Sequence, residues 1–427
     1  MIRFNPLLAT FVAVFLLRSA AQMVLYQLNT SFLRREGDRV PDVFQDIVDR
    51  DKLRRISAYT LDSSKVGMVS TLFNQAVLLV ILLSGILPWL AEMIHSWGFG
   101  EIAGGLAFFA ILSIATHLLG LPFSLYDTFV IEERYGFNTM TFGMWVSDLA
   151  KGLTLSALLG GLVLWGVLVL IVQSGPQWWV WAWIFLGLFE LLLLWLFPLV
   201  IAPLFNKFEP VEDEHLKQQI QALMGRVGLR VKGVFKMDAS KRSKHTNAYF
   251  TGVGRSKRIV LFDTLLESHG EEEICAVLAH EIGHWKKRHV LRQLLFVEIV
   301  SLAGLYAAAR FLDWPMLYEA FGFQDAIPYA GLFLIGTGFS LIGYFAQPLE
   351  SAISRKYERE ADDFSLTLIK EPAPLMKALK HLATENLSNL NPHPLYAWYY
   401  YSHPPLAERI ERLEKTEGVG PHQALRN

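Results

Sequence analysis

Seven stretches of the chain are each long and apolar enough to cross a lipid bilayer, and this constrains the architecture more than any other feature. Hydrocarbon offers no water to the backbone, so a spanning segment must satisfy its own amides, which a helix of about 20 mostly apolar residues does. The stretches lie at 7–28, 66–94, 102–126, 150–173, 177–203, 290–312 and 327–348. Composition agrees: the chain is 52% hydrophobic and 19% charged, with a mean hydropathy of +0.32, well outside the usual range of soluble domains. The expected fold is a mainly α, multi-pass membrane protein with lipids as its surroundings. The first stretch follows Arg3 and contains Ser19-Ala20-Ala21, the form of a cleavable signal. Apolar residues continue through Met23, Val24 and Leu25, so it reads as an uncleaved span. A formal net charge of −1 gives no electrostatic footprint for nucleic acid. The single cysteine, Cys275, rules out an intramolecular disulfide.

Basic residues in the loops set the expected orientation, because short cytoplasmic connections retain Lys and Arg. The connection 30–65 carries Arg34, Arg35, Arg39, Arg50, Lys52, Arg54 and Arg55, whereas 95–101, 174–176 and 313–326 carry none. The amino terminus is therefore expected outside and the carboxyl terminus inside; Arg3 dissents, and Arg310 reads as snorkelling to the outer interface. This divides the chain into a membrane region at 1–205, a cytoplasmic segment at 206–289, a spanning hairpin at 290–348 and a second cytoplasmic segment at 349–427. The two hydrophilic segments together can build one globular domain.

Residues 277–289 read VLAHEIGHWKKRH. Positions i and i+4 lie one above the other on a helix, so His280 and His284 can offer imidazole nitrogens to one tetrahedral metal ion. Glu281 stands beside the first of them, placed to reach a water at that ion. This is the HExxH arrangement of zinc peptidases. Ile274, Val277, Leu278 and Ile282 make the helix half-buried, and Gly283 lets a substrate or another backbone come close. Cys275 could be imagined as a nucleophile with His280 as its base, but it reads better as a small core residue.

A catalytic zinc needs a third protein ligand and an open position. The sequence SRKYEREADDF at 354–364 places Glu358 and Asp362 four apart. On a helix, Glu358 could bind the ion while Asp362 accepts the free N–H of a ligating histidine. Glu360 lies two positions on, about 200 degrees around a helix, so it and Glu358 cannot both face one ion. On spacing alone the run serves equally well as a solvated helix face. Glu190 and Glu298 sit within apolar spans, where each is costly unless it faces water or a partner. His117 reads as a packed or interfacial residue.

Over nearly its whole length the chain resembles the type 1 CAAX prenyl endopeptidases, zinc-dependent integral membrane proteases. The resemblance rests on LPFSLYDTFVIEERYGFNTMT at 121–141, PLFNKFEP at 203–210, SKRSKHTNAYFTG at 240–252, KRIVLFDTLL at 257–266, VLAHEIGHWK at 277–286, SRKYEREAD at 354–362 and YSHPPLAERI at 401–410. It implies seven transmembrane helices forming a barrel around a water-filled chamber, capped by a cytoplasmic zincin-like α+β protease domain. It also implies one Zn2+ per chain held by His280, His284 and Glu358, with Glu281 as general base. His403 would then donate to the oxyanion, Arg409 would orient it or bind a carboxylate, and Asp362 would support a ligand. Asn247, Ala248 and Tyr249 would form an edge strand that takes the substrate as a further strand, in a hairpin closed through Gly252, Val253, Gly254 and Arg255. The family commonly has an uncharged residue where Glu360 stands, a departure that bears on local electrostatics. His245, His289, His381 and His393 carry no assigned role.

The expected function is a membrane-embedded zinc metalloendopeptidase. Resemblance implies carboxyl-terminal CAAX-type peptides, lipidated ones included, as its substrates. Prenylation is a eukaryotic feature, so a bacterial source, with the enzyme in the inner membrane, would turn the activity toward misassembled membrane proteins; in a eukaryote the endoplasmic reticulum membrane is expected. A transporter with a structural metal is the rival class, and it requires four protein ligands where the sequence offers three.

Overall fold

The structure, a computed structural model, describes residues 2–229, 231–252 and 257–417. Seven helices are long and apolar enough to span a membrane: α1 (Pro6–Glu36), α2 (Arg50–Leu83), α3 (Glu101–Tyr135), α4 (Phe142–Gln173), α5 (Gly175–Phe205), α8 (His289–Leu312) and α9 (Pro328–Ile369). Between α5 and α8 lie β1 (Phe208–Pro210), α6 (Glu214–Val227), β2 (Val234–Met237), β3 (Ala248–Thr251), β4 (Arg258–Phe262) and α7 (Glu271–Lys286). After α9 come α10 (Ala373–Glu385), α11 (Pro394–Tyr400) and α12 (Leu406–Glu417).

The expected second span, 66–94, is not one helix. The chain breaks at Gly85, which adopts a left-handed conformation (φ 83), and restarts as a short helix, Ile86–Ser96. The apolar run continues across the break, so hydropathy could not register it. At the other end of the molecule α9 runs unbroken for 42 residues from its apolar half into the helix turns bearing Glu358 and Asp362. Pro348 lies inside it and cannot donate to the carbonyl of Tyr344. The Tyr399 hydroxyl donates to that carbonyl instead, at 2.6 Å.

Each spanning helix packs against the next, and α9 returns to α1, so the seven close into a ring. Helices of a packed bundle would bury much of their surface; here only 6% of the most apolar stretch of α5, and of α8, is buried. A ring around an open interior has this property. One end is plugged by a continuous apolar cluster that includes Leu8, Leu82, Phe108, Leu168, Leu312 and Tyr329. Asn74, Ser113, Thr116, His117 and Asp148 line one cavity together with Leu121, Trp145 and Leu149, and His117 is exposed. Glu190 and Glu298 meet carboxyl to carboxyl between α5 and α8, with the Trp183 indole donating to the Glu298 carbonyl at 3.0 Å.

The other end of the ring carries the hydrophilic segments. Their sheet has the order β1-β2-β4-β3, with β2 and β4 parallel and both outer pairs antiparallel. Strand β4 alternates into the core through Ile259 and Leu261, which share one cluster with Leu216, Ile220, Leu278 and Ile282. Its partner β3 lies at the sheet edge and packs on α7.

Candidate active site

Helix α7 begins after Gly270 with Glu271, Glu272 and Glu273 in its first turn, where acidic side chains complement the helix dipole. Its apolar positions Ile274, Val277, Leu278 and Ile282 are buried and fix its rotation. That rotation turns His280 and His284 toward α9. The two helices meet backbone to backbone, because a Cβ at Gly283 would stand 2.9 Å from the Ala361 Cα. The side chain omitted at Gly283 thus admits another backbone.

The close approach puts three donor groups at one point. His280 Nε2 and His284 Nε2 are 3.1 Å apart. Glu358 Oε2 lies 3.3 Å from His280 Nε2, and Glu358 Oε1 lies 3.2 Å from His284 Nε2. Among the described residues no fourth protein donor joins this group. Asp362 Oδ1 accepts from His280 Nδ1 at 2.8 Å; the hydrogen on Nδ1 leaves a bare lone pair on Nε2 in a neutral ring. The buried Glu358 Oε2 has no hydrogen-bond partner, although His403 Nδ1 is 2.8 Å away. Two imidazole nitrogens and a carboxylate converging on one point form a candidate cation site. The donors, two imidazoles and a carboxylate, are those of a catalytic zinc centre.

The surroundings match this charge demand. Burial alone would lower the pKa of His280, but the Asp362 and Glu358 carboxylates beside it outweigh this and raise it to about 9, an attraction for positive charge that a metal ion would share. Burial also raises the pKa of Glu281 above the usual carboxylate range. Arg409 holds Asp362 through two bonds, Nη2 to Oδ1 at 2.6 Å and Nε to Oδ2 at 3.0 Å, and it also approaches Glu358 Oε2 at 3.7 Å. Both Asp362 and Arg409 are buried, so the pair compensates itself.

His403 is exposed, its side chain reaching only Glu358 within this group. The loop that carries it is clamped by Arg355, whose Nη1 donates to the carbonyls of Trp398 at 3.0 Å and Tyr401 at 2.7 Å. Asn247 is exposed at the start of β3 and caps its own strand, its Oδ1 accepting from Ala248 N–H at 2.8 Å. Ala248 and Tyr249 pair with Leu261 and Val260 on one side only, leaving the other edge of the strand free in the sheet. The expected hairpin closure lies outside the described residues from Val253 to Arg255; Gly252 is left-handed (φ 89).

The histidines without a sequence-based role find partners of their own, and one of them, His289, joins this group. His289 Nδ1 lies 3.0 Å from His284 Nδ1, and its Nε2 lies 3.1 Å from Glu360 Oε2. His245 stacks on Phe137 with ring centroids 3.9 Å apart. It reaches Asn386 Oδ1 at 3.1 Å and Glu132 Oε2 at 3.2 Å, tying the approach to β3 to α3. These pairs are separated by up to 141 positions in sequence, and no local pattern announces them. His393 caps α11 by accepting from Leu395 N–H at 3.2 Å. His381 pairs with Glu273 at 2.7 Å beside His269, but the Lys377 ammonium, 2.8 Å from Glu273 Oε1, already supplies the cation there. Cys275 donates to Gln219 Oε1 at 3.4 Å, and burial pushes its thiol up to about 11, which removes it as a nucleophile.

A ring of spanning helices with such a donor set at its mouth defines an integral-membrane metallopeptidase. The family model described as the CAAX prenyl protease N-terminal region with five membrane helices matches residues 29–207, and that of peptidase family M48 matches 210–417. A CAAX prenyl protease 1 homolog from Oryza sativa is 36% identical over 388 residues, covering 88% of this chain and 91% of that protein. CAAX prenyl protease 1 from Saccharomyces cerevisiae is 36% identical over 409 residues, covering 88% of each. The crystal structure of S. mikatae Ste24p superposes with a TM-score of 0.90 at 32% identity, covering 96% of this chain and 100% of that one. The chain belongs to the M48 peptidases, in the family of the CAAX prenyl proteases.

Proposed function

We propose that the protein is a zinc endopeptidase that trims CAAX-type carboxyl-terminal peptides, with His280, His284 and Glu358 holding the ion. The observation that carries this reading is the meeting of two imidazole nitrogens and one carboxylate at a single point, next to a half-buried glutamate. When bound, zinc supplies a Lewis acid that polarises the scissile carbonyl and makes water nucleophilic near neutral pH. Glu281 takes the proton from the attacking water and delivers it to the leaving amine nitrogen. His403 donates to the oxyanion that develops on the carbonyl oxygen. The free edge of β3 holds the peptide extended, with Asn247 contacting its backbone. Asp362 fixes the Nδ1–H tautomer of His280, and Arg409 neutralises Asp362.

A lipidated substrate suits the surroundings. A cavity between α8 and α9 is lined by Phe296, Val297, Val300 and Ile353 and reaches Tyr357 and Ser402, the neighbours in sequence of Glu358 and His403. An isoprenoid chain there would bury apolar surface within reach of the chemistry. Loop charge supports a site on the cytoplasmic face, a position that serves a bacterial inner membrane and the endoplasmic reticulum alike.

Glu281→Gln is the decisive variant. Zinc content should stay at one per chain while cleavage of a CAAX peptide falls by about 10²–10⁴. Undiminished cleavage refutes the reading. The same peptide with and without a prenyl group tests the lipid: equal cleavage of both removes that part of the assignment.

A further inference from the structure

We infer that His289 and Glu360 form a relay that sets the tautomer and orientation of His284, making both of them positioning residues for the metal; the inference rests on the ligand assignment proposed above. His280 has a carboxylate directly behind it, Asp362. His284 has none. Behind its Nδ1 stands another imidazole, with Nδ1 to Nδ1 at 3.0 Å, and a carboxylate follows, His289 Nε2 to Glu360 Oε2 at 3.1 Å.

The hydrogens on this chain can be placed one after another. An ionised Glu360 only accepts, so His289 carries its hydrogen on Nε2. In a neutral ring Nδ1 is then bare and accepts. The hydrogen between the two rings therefore belongs to His284 Nδ1, which leaves His284 Nε2 with the lone pair that faces His280 and Glu358. The reverse arrangement would put a hydrogen on His284 Nε2 and close it to a metal. A carboxylate two rings away thus decides whether His284 can ligate.

The local structure holds the relay in place. His289 follows Arg288, a non-glycine residue in the left-handed region (φ 56, ψ 38); few residues adopt this conformation without compensation. The turn there folds the first residue of α8 back onto the end of α7. The His289 ring is buried, its side chain 3% exposed. It stacks on Tyr357 with centroids 4.3 Å apart and planes 10° apart, which fixes the ring plane so that one nitrogen faces each neighbour. Arg292 Nη1 binds Glu360 Oε2 at 3.2 Å, as Arg409 binds Asp362. Each ligating histidine therefore ends on a carboxylate that is neutralised by an arginine, directly for His280 and through one imidazole for His284. Glu360, which helix rotation turns away from the ion, has this use.

The test measures metal affinity in the full-length, detergent-solubilised protein by chelator competition, with the visible spectrum of the Co2+-substituted form as a report on coordination. His289→Phe keeps a flat ring on Tyr357 but cannot accept a hydrogen. It should weaken metal binding about 10–100-fold and alter the Co2+ bands, with the metal-free melting temperature unchanged. Glu360→Leu should act in the same direction, and His289→Gln, whose amide oxygen can accept from His284 Nδ1, should recover part of the affinity. Parental affinity in His289→Phe overturns the relay, as does a His289→Gln variant no better than the phenylalanine. His284→Ala separates the two layers: if it keeps its metal, the ligand assignment fails, and if it loses metal while His289→Phe does not, only the relay fails.

Discussion

Gly283 rests against Ala361 so closely that a Cβ at 283 would stand 2.9 Å from the Ala361 Cα, 3.0 Å from its carbonyl oxygen and 3.2 Å from the Phe364 Cβ. Two of these neighbours are backbone and cannot rotate away. This contact sets the distance between the helix bearing the two histidines and the helix bearing the glutamate. Gly283→Ala should cost about 1–3 kcal/mol of stability by overpacking and loosen the metal by separating α7 from α9. Thermal melting and metal titration check both; parental metal affinity would show that the spacing does not govern the site.

Glu358→Ala and Asp362→Ala should differ in kind. The first removes a donor, and the purified protein should contain no stoichiometric metal. The second leaves the donors but removes the acceptor behind His280 and strands the buried Arg409 charge. It should weaken metal about 10–100-fold and lower stability by about 3–5 kcal/mol. Metal analysis and melting curves distinguish them, and a full metal complement in Glu358→Ala would move the ligand elsewhere.

His403 reaches toward the metal site from a loop and should matter to the transition state alone. His403→Ala should retain metal and KM while kcat drops about 10²–10³, the loss found on removing one oxyanion donor. A rise in KM at constant kcat would assign His403 to substrate binding instead.

His245 gives a pH signature. Burial lowers its pKa, but hydrogen bonds with Glu132 and Asn386 outweigh this and raise it above the ordinary value. A histidine raised on folding stabilises most fully below its unfolded value, about 6.5, and that contribution fades as pH climbs through the folded value. The melting temperature should therefore fall with rising pH above about 6.5 more steeply in the parent than in His245→Gln. Identical slopes would remove the pair from the pH dependence.

The readable parts of this molecule were those with a short period or a short spacing. Spanning segments announce themselves by unbroken apolarity and His280 and His284 by the HExxH spacing, whereas the interval of four between Glu358 and Asp362 fitted a solvated helix face equally well and needed the family resemblance to be read as a site. Gly85 broke a span without changing its hydropathy, so the break was invisible. The relay through His289 and Glu360 was invisible for another reason: it depends on a turn at Arg288 and on a partner 71 positions away. The same holds for Tyr59, whose hydroxyl donates to Glu132 Oε1 at 2.6 Å across 73 positions. Glu360 looked like an oddity on one helix because its partners lie on another.

Because α9 is a single rod from Pro328 to Ile369, and only Lys287 and Arg288 separate the histidine helix from α8, the molecule has no seam between anchor and enzyme. Sawing off the lipid-facing portion would take half of the rod that steadies Glu358 with it. Any tilt of that rod would carry Glu358 with it, relative to His280 and His284 on α7.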